Sequence, residues 1–78
     1  MALNTIKYRM SPEDFITWKG VMCDRGLASN EAECGEAIGR TRWSVMRAKK
    51  VGADYLTALA CAAALKRLKH YVPNEEAA

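Results

Sequence analysis

The sequence predicts an all-α fold: a compact four- to five-helix bundle that contains a helix-turn-helix and carries a short extended N-terminal arm. Three observations point there. Ser11, Asn30, Thr41 and Asp54 each stand as a helix N-cap before a segment of helical apolar spacing. Gly26, Gly39 and Gly52 fall where the first three of those segments should stop. Half of the 78 residues are hydrophobic, enough for one helical core near the lower size at which a core suffices without staples. The chain divides into an arm over 1–10, a helix-turn-helix domain over 11–72 and a frayed tail over 73–78.

In the arm, Ile6, Tyr8 and Met10 alternate with Thr5, Lys7 and Arg9, the period of extended chain. It is too short for an independent sheet, so it is expected to pack on the body or on a partner chain. Ser11-Pro12-Glu13-Asp14 opens the first helix with a cap, a proline at the first helical position and acids facing the positive helix end. Phe15, Trp18 and Met22 make its apolar stripe to about Asp24, with Ile16 and Val21 broadening it. Gly20 is its weak point, and Gly26 ends it.

Asn30 and Glu33 have capping-box spacing and open the second, short helix. Gly35 inside it costs about 1 kcal/mol relative to Ala, which close approach of another helix would explain. Gly39 closes it with positive φ. Thr41 caps a third helix reaching about Lys50, and Gly52 ends that one. Asp54 caps a fourth, with Tyr55, Leu56, Leu59, Ala60, Ala63, Ala64 and Leu68 as its apolar face. The stretch from Ala58 to Leu65 is apolar all round, which predicts burial on more than one side. Lys66, Arg67 and Lys69 complement its negative end, and Pro73 is expected to stop it.

Composition narrows the function. No apolar run approaches the roughly 18 residues of a membrane span, and MALNTIKYRM lacks the apolar stretch and cleavage pattern of a secretory signal. A soluble, cytoplasmic protein is expected. Cys23, Cys34 and Cys61 form no C-x-x-C pair and have only His70 as company, so neither a zinc site nor a disulfide framework is expected. Cys34 and Cys61 fall in apolar stripes and should be buried; Cys23 should be partly exposed. No paired carboxylates flank a nucleophile, and no glycine-rich phosphate loop is present. An enzyme is not expected, nor a cofactor, nor a small-molecule ligand.

The net charge of +3 is unevenly spread. Residues 31–36 hold Glu31, Glu33 and Glu36 and no base, and read as a solvated helix face. The run RTRWSVMRAKK then holds Arg40, Arg42, Arg47, Lys49 and Lys50 and no acid. A positive patch confined to one element is the electrostatic footprint of nucleic-acid binding. Short helix, glycine turn and second short helix is also the helix-turn-helix layout. Ile38, Gly39, Val45 and Ala48 supply its core: an anchor, the turn, and the inner face of the third helix.

At 100° per residue, Arg42, Trp43, Met46, Arg47 and Lys50 share the opposite face. Arg42, Trp43, Met46 and Arg47 are the candidate base readers, the arginine fork matching guanine O6 and N7. Arg40 and Thr41 at the helix start, and Lys49 and Lys50 at its far end, are candidate phosphate contacts. Trp43 either fills the core or packs on thymine methyls, sugars or Arg47. Val45 and Ala48 already fix the inner face elsewhere, which favours the second. Met46 either touches a base or fills space beside Trp43.

Through SPEDFITWK, ECGEAIGRTRWSVMRAKKVGAD and TALACAAAL, over about residues 11–72, the chain resembles the Cro/lambda-repressor-like (Xre-type) helix-turn-helix DNA-binding family, in particular its small phage-associated and alphaproteobacterial-type regulators. The resemblance implies a bundle of four or five helices binding operator DNA as a homodimer. It puts the base-reading positions on Arg42, Trp43, Met46 and Arg47, with Thr41 near phosphate. Glu31 departs from the family, which often has Gln there against the DNA backbone; an acid would repel phosphate, so that contact is not carried over. Arg40 departs too, replacing an aliphatic residue after the turn glycine; its stem can cover the core while its head reaches the backbone. The connection between the first two helices is slightly longer than the family's.

The function these features imply is a sequence-specific double-stranded-DNA-binding transcriptional regulator, a repressor acting as a homodimer on a two-fold symmetric operator at the nucleoid. The fourth helix and the arm are the candidate dimer surfaces. The alternative is a protein-interaction module, antitoxin-like or antirepressor-like, whose basic face docks a protein partner.

Overall fold

The computed structural model describes residues 8–73. The expectations for residues 1–7, including Thr5, Ile6 and Lys7, and for 74–78 lie outside the described residues. The described chain is mostly helical. In order it forms β1 (Arg9–Met10), α1 (Pro12–Asp24), α2 (Glu31–Ala37), α3 (Arg42–Val51), β2 (Ala53–Asp54) and α4 (Tyr55–Leu65).

Every expected cap is made. The Ser11 hydroxyl accepts from the Asp14 N–H at 3.0 Å, and the Asn30 side chain from the Glu33 N–H at 2.9 Å. Thr41 accepts from the Ser44 N–H at 3.2 Å and Asp54 from the Thr57 N–H at 2.9 Å. Glu33 completes the start of α2 by accepting from the Ser29 N–H at 2.6 Å. The helix ends are closed as consistently. In α1, Gly26 (φ 71°) lets the N–H groups of Gly26 and Leu27 reach the carbonyls of Cys23 and Met22. In α2, Gly39 (φ 69°) does the same for the carbonyls of Glu36 and Gly35.

The core gathers around α1. Phe15, Trp18 and Met22 are buried, and Phe15 and Trp18 pack with ring centroids 5.2 Å apart. Cys34 of α2, Val45 and Ala48 of α3, and Cys61 of α4 close over them. Trp18 Nε1–H donates to the Cys61 carbonyl at 3.0 Å, a buried bond tying the two ends of the fold. Burying a side chain such as Phe15, Met22 or Val45 stabilises by about 1.5–3 kcal/mol. Cys34 and Cys61 are buried and Cys23 is exposed, as expected. Burial pushes the Cys61 thiol up to about 12, so it stays an unreactive core group.

Four expectations are corrected. The fold is not purely helical: β1 pairs antiparallel with β2, Arg9 opposite Asp54 and Met10 opposite Ala53. Residues 8–10 therefore pack on the body, with Met10 buried and Tyr8 edge-on to Tyr55. Ile16 does not widen the stripe of α1, since it is exposed. The apolar face of α4 is turned: Thr57 and Cys61 point inward, while Leu56 and Leu59 are exposed. A helix apolar on every side carries no amphipathic signal to set its rotation. Thr57 takes an inward position because its hydroxyl finds a donor there, the Arg40 guanidinium at 3.2 Å.

Lastly, α4 ends at Leu65, well before Pro73. Arg67 adopts φ 58°, and the N–H groups of Arg67 and Leu68 bond the carbonyls of Ala64 and Ala63. This is the closure seen in α1 and α2, made without glycine and so invisible in the sequence.

Glycine substitutions separate the two uses of that residue. Gly52 has φ 86°, and a Cβ there would stand 2.4 Å from the Met10 carbonyl oxygen. Gly20, inside α1, has nothing within 4 Å of its would-be Cβ. In urea denaturation, Gly52→Ala should destabilise by about 2–4 kcal/mol, through backbone strain and collision with β1. Gly20→Ala should stabilise by about 0.5–1 kcal/mol.

Candidate nucleic-acid interface

The candidate surface is built from the turn upward. A Cβ on Gly35 would lie 2.6 Å from the Arg40 carbonyl oxygen and 3.2 Å from Val45 Cγ2. Only glycine lets the turn and the start of α3 sit this close to α2. That contact, with Val45 and Ala48 buried and Ile38 packed beside them, fixes the rotation of α3 about its axis.

Arg42, Trp43, Arg47 and Lys50 are thereby left on the outside, with Met46 half-buried between them. Trp43 is 80% exposed and so does not fill the core. Trp43, Met46, Arg47 and Lys50 line one shared hollow, and Arg42, Trp43 and Met46 line the next along the helix. Arg42 also borders Asn30, Glu31 and Ala32 at the start of α2. The structure thus brings the four expected base readers and Lys50 onto one continuous face. Among the described residues, Arg42, Arg47 and Lys50 have no hydrogen-bond or ion-pair partner.

The other basic residues of the run are engaged within the chain. Arg40 turns toward α4, where its Nη2 donates to the Thr57 hydroxyl. Lys49 leans toward α2 and pairs with Glu31, which also accepts from Lys19 of α1 at 3.1 Å. Thr41 is exposed, but its hydroxyl is occupied by the cap and by a 3.3 Å bond to the Ser44 hydroxyl.

Glu31 is not the solvated acid expected of it. It is half-buried between the two lysines, and their hydrogen bonds, Lys49 first and Lys19 second, lower its carboxyl to about 2. Two ammonium groups around one carboxylate leave the cluster with a net positive charge. Helices α1, α2 and α3 are pinned by this single side chain. Nothing in the local sequence pattern announces it, because its partners lie 12 and 18 residues away. Glu33 and Glu36 remain exposed.

Sequence reasoning also passed over Arg9, Ser44, Asp54 and Thr57, which join Arg40 and Arg47 around a cleft beside α3. Asp54 is held below the usual carboxylate range by the Thr57 N–H first, with Arg40 and Arg9 adding to it. The pairing of β1 with β2 assembles this group; the alternation of the arm announces extended chain, but the two residues of β2 leave no period to mark it as the partner. No known protein family, curated protein or solved structure matches the chain. No helix among the described residues is long and apolar enough to cross a membrane.

The Glu31 cluster has a pH signature. Its folded carboxyl titrates at about 2 against an ordinary 4.5, so its contribution to stability is full above 4.5 and is lost as pH falls through about 2. In urea titrations, wild type should be more stable than Glu31→Gln by a constant margin from neutral pH down to 4.5. The margin should close between 4.5 and about 2. A margin unchanged across that range would show that the two lysines do not hold the carboxylate.

Proposed function

We propose that this chain is a sequence-specific double-stranded-DNA-binding transcriptional regulator of the Xre type, a repressor acting in the cytoplasm at the nucleoid. In this reading α2, the Ile38–Thr41 turn and α3 are a helix-turn-helix, and α3 enters the major groove. The observation that carries it is the division of charge on α3. Arg42, Arg47 and Lys50 stand exposed and unpartnered among the described residues beside an exposed Trp43, while Glu31, which borders Arg42, is neutralised by Lys19 and Lys49.

Side chains on the N-terminal half and outer face of such a helix meet base edges. Arg42 and Arg47 present planar forks suited to guanine, and Trp43 with Met46 offers an apolar surface for thymine methyls or sugars. The Lys19–Glu31–Lys49 cluster and Lys50 supply positive charge for phosphates on either side. Thr41 lies at the same edge of the surface. Arg40 joins them in this reading with the guanidinium donors that its bond to Thr57 leaves free.

The regulator acts as a homodimer on a two-fold symmetric operator. α4 supports this: it is apolar on all sides, the monomer covers the face with Thr57 and Cys61, and Leu56 and Leu59 stand open on the other. An apolar surface of that kind marks an association site. The alternative, a protein-interaction module docking through its basic face, draws on the same exposed Trp43 and Met46, since aromatic anchors beside arginine are typical of protein hot spots.

Binding to duplex DNA without any other protein separates the two. Its affinity should fall steeply with salt under the DNA reading. Arg42→Ala and Arg47→Ala should each cost about 1–3 kcal/mol and relax specificity at one base pair. Lys50→Ala should weaken binding to all sequences alike and lower the salt slope by about one. Trp43→Ala should weaken DNA binding with no loss of thermal stability, because the ring is exposed. Equal, small losses for Arg42→Ala, Arg47→Ala, Trp43→Ala and Lys50→Ala would overturn the base-reading assignment.

A further inference from the structure

We propose that the cleft between α3, the β1–β2 ribbon and the start of α4 is a phosphate-binding site, for a phosphate group carried by a free phosphomonoester or by a nucleic-acid backbone. The cleft is about 300 Å³, at the lower end of small-ligand sites. It lies beside the outer face of α3, and Ser44, Arg47 and Val51 border both. Its floor is the apolar core around Val45 and Ala48. Its rim is polar: Arg9 from β1, Arg40 from the turn, Arg47 and Ser44 from α3, Asp54 and Thr57 from the start of α4.

Two stretches distant in sequence, β1 and the run from Arg40 to Arg47, thus bring three arginines to one concavity. A single carboxylate, Asp54, stands against them, leaving a net charge of +2 at the rim. That carboxylate is committed to the helix cap, accepting the Thr57 N–H at 2.9 Å. A phosphomonoester carries about −1.5 to −2 near neutral pH and three acceptor oxygens. Its charge matches the excess.

Two of the three guanidinium groups are held on residues that line the cleft. Arg40 Nη2 is held on the Thr57 hydroxyl at 3.2 Å and Arg9 Nη2 on the Val51 carbonyl at 3.4 Å. Each uses one of five donors, leaving the rest of a rigid fork for bidentate contact with phosphate oxygens. Ser44 and Thr57 add hydroxyl donors. All three basic residues here are arginines, the side chain suited to planar, bidentate anion recognition, whereas Lys49 and Lys50 lie elsewhere on α3. The close fit of Gly52 under the Met10 carbonyl holds β1, and with it Arg9, over the cleft.

The test is a titration of isotope-labelled protein with inorganic phosphate and with phenyl phosphate, at constant ionic strength, followed by backbone amide shifts. The expected result is saturable shifts at Ser44, Gly52, Ala53 and Thr57. Arg9→Gln and Arg40→Gln should each weaken binding about tenfold or more. Arg25→Gln, an exposed residue outside the cleft, should leave it unchanged. Both cleft variants change exposed side chains, and circular dichroism checks that they fold. Shifts that rise without saturation at scattered lysines, or affinity unmoved by both cleft variants, would mean an adventitious ion only and overturn the proposal.

This arm contains no DNA, so its failure is distinct from failure of the base-reading assignment. A second arm adds duplex DNA to the phenyl phosphate complex. Displacement of the ligand identifies the nucleic-acid backbone as the source of the phosphate. Simultaneous occupancy identifies a free phosphomonoester.

Discussion

The fold turns on the missing side chain of Gly35. There the chain reverses from α2 into α3, and the Arg40 carbonyl oxygen and Val45 Cγ2 crowd within 2.6 and 3.2 Å of where a Cβ would be. Backbone forms most of this contact, so no rotamer change can relieve an added methyl group. The contact sets how deeply Val45 and Ala48 enter the core, and therefore the rotation of α3. A helix has one rotational degree of freedom about its axis; once two residues on one side are buried, the opposite side follows from the 3.6-residue repeat. The exposure of Trp43 and the outward position of Arg42 and Arg47 are consequences of packing some ten residues earlier in the chain.

Charge is then sorted by what lies beside each position. Five basic residues in the run from Arg40 to Lys50 would repel one another if all faced the same way. Instead Lys49 shares Glu31 with Lys19, and Arg40 rests on Thr57 next to Asp54. Two fixed acids thus partly offset the charges at the flanks of α3, while its crest keeps Arg42, Arg47 and Lys50. The flanking pairs are partly exposed, so their value lies less in stability than in holding neighbouring helices at set positions. Glu31 alone joins three helices. The same sorting makes the rim of the cleft positive, because Asp54 is the single acid there against Arg9, Arg40 and Arg47.

Much of this was legible in the sequence, and the divisions have physical reasons. Caps and glycine stops depend on bonds within four or five residues, and Ser11, Asn30, Thr41, Asp54, Gly26, Gly39 and Gly52 all appear where their neighbours demand them. The inner and outer faces of α3 were legible because that helix mixes charged and apolar residues. The orientation of α4 was not, because a helix apolar on every side has no direction written into it. Its end was hidden by Arg67, a non-glycine residue in the left-handed region. The β1–β2 pairing joins residues over forty positions apart; the arm shows the period of extended chain, but the two residues of β2 are too few to mark it as the partner. With it went Arg9 and the cleft. The partners of Lys49 and Arg40 were hidden for the same reason, since long side chains choose among neighbours that only the tertiary fold supplies.

α4 links the core to the proposed assembly. Its inward side is fixed by a bond from Trp18 to the Cys61 carbonyl and by the Arg40–Thr57 contact, so it cannot rotate to hide Leu56 and Leu59 without breaking both. Covering those leucines within one chain would expose Cys61 and leave Thr57 without its donor. The apolar surface is thus a consequence of polar anchoring on the opposite side of the helix. A second copy presenting the same surface would satisfy both sides at once, and the two-fold axis between them would set the spacing of the two α3 helices. In the proposed regulator, the interactions that orient α4 would therefore also govern how far apart two half-sites are read.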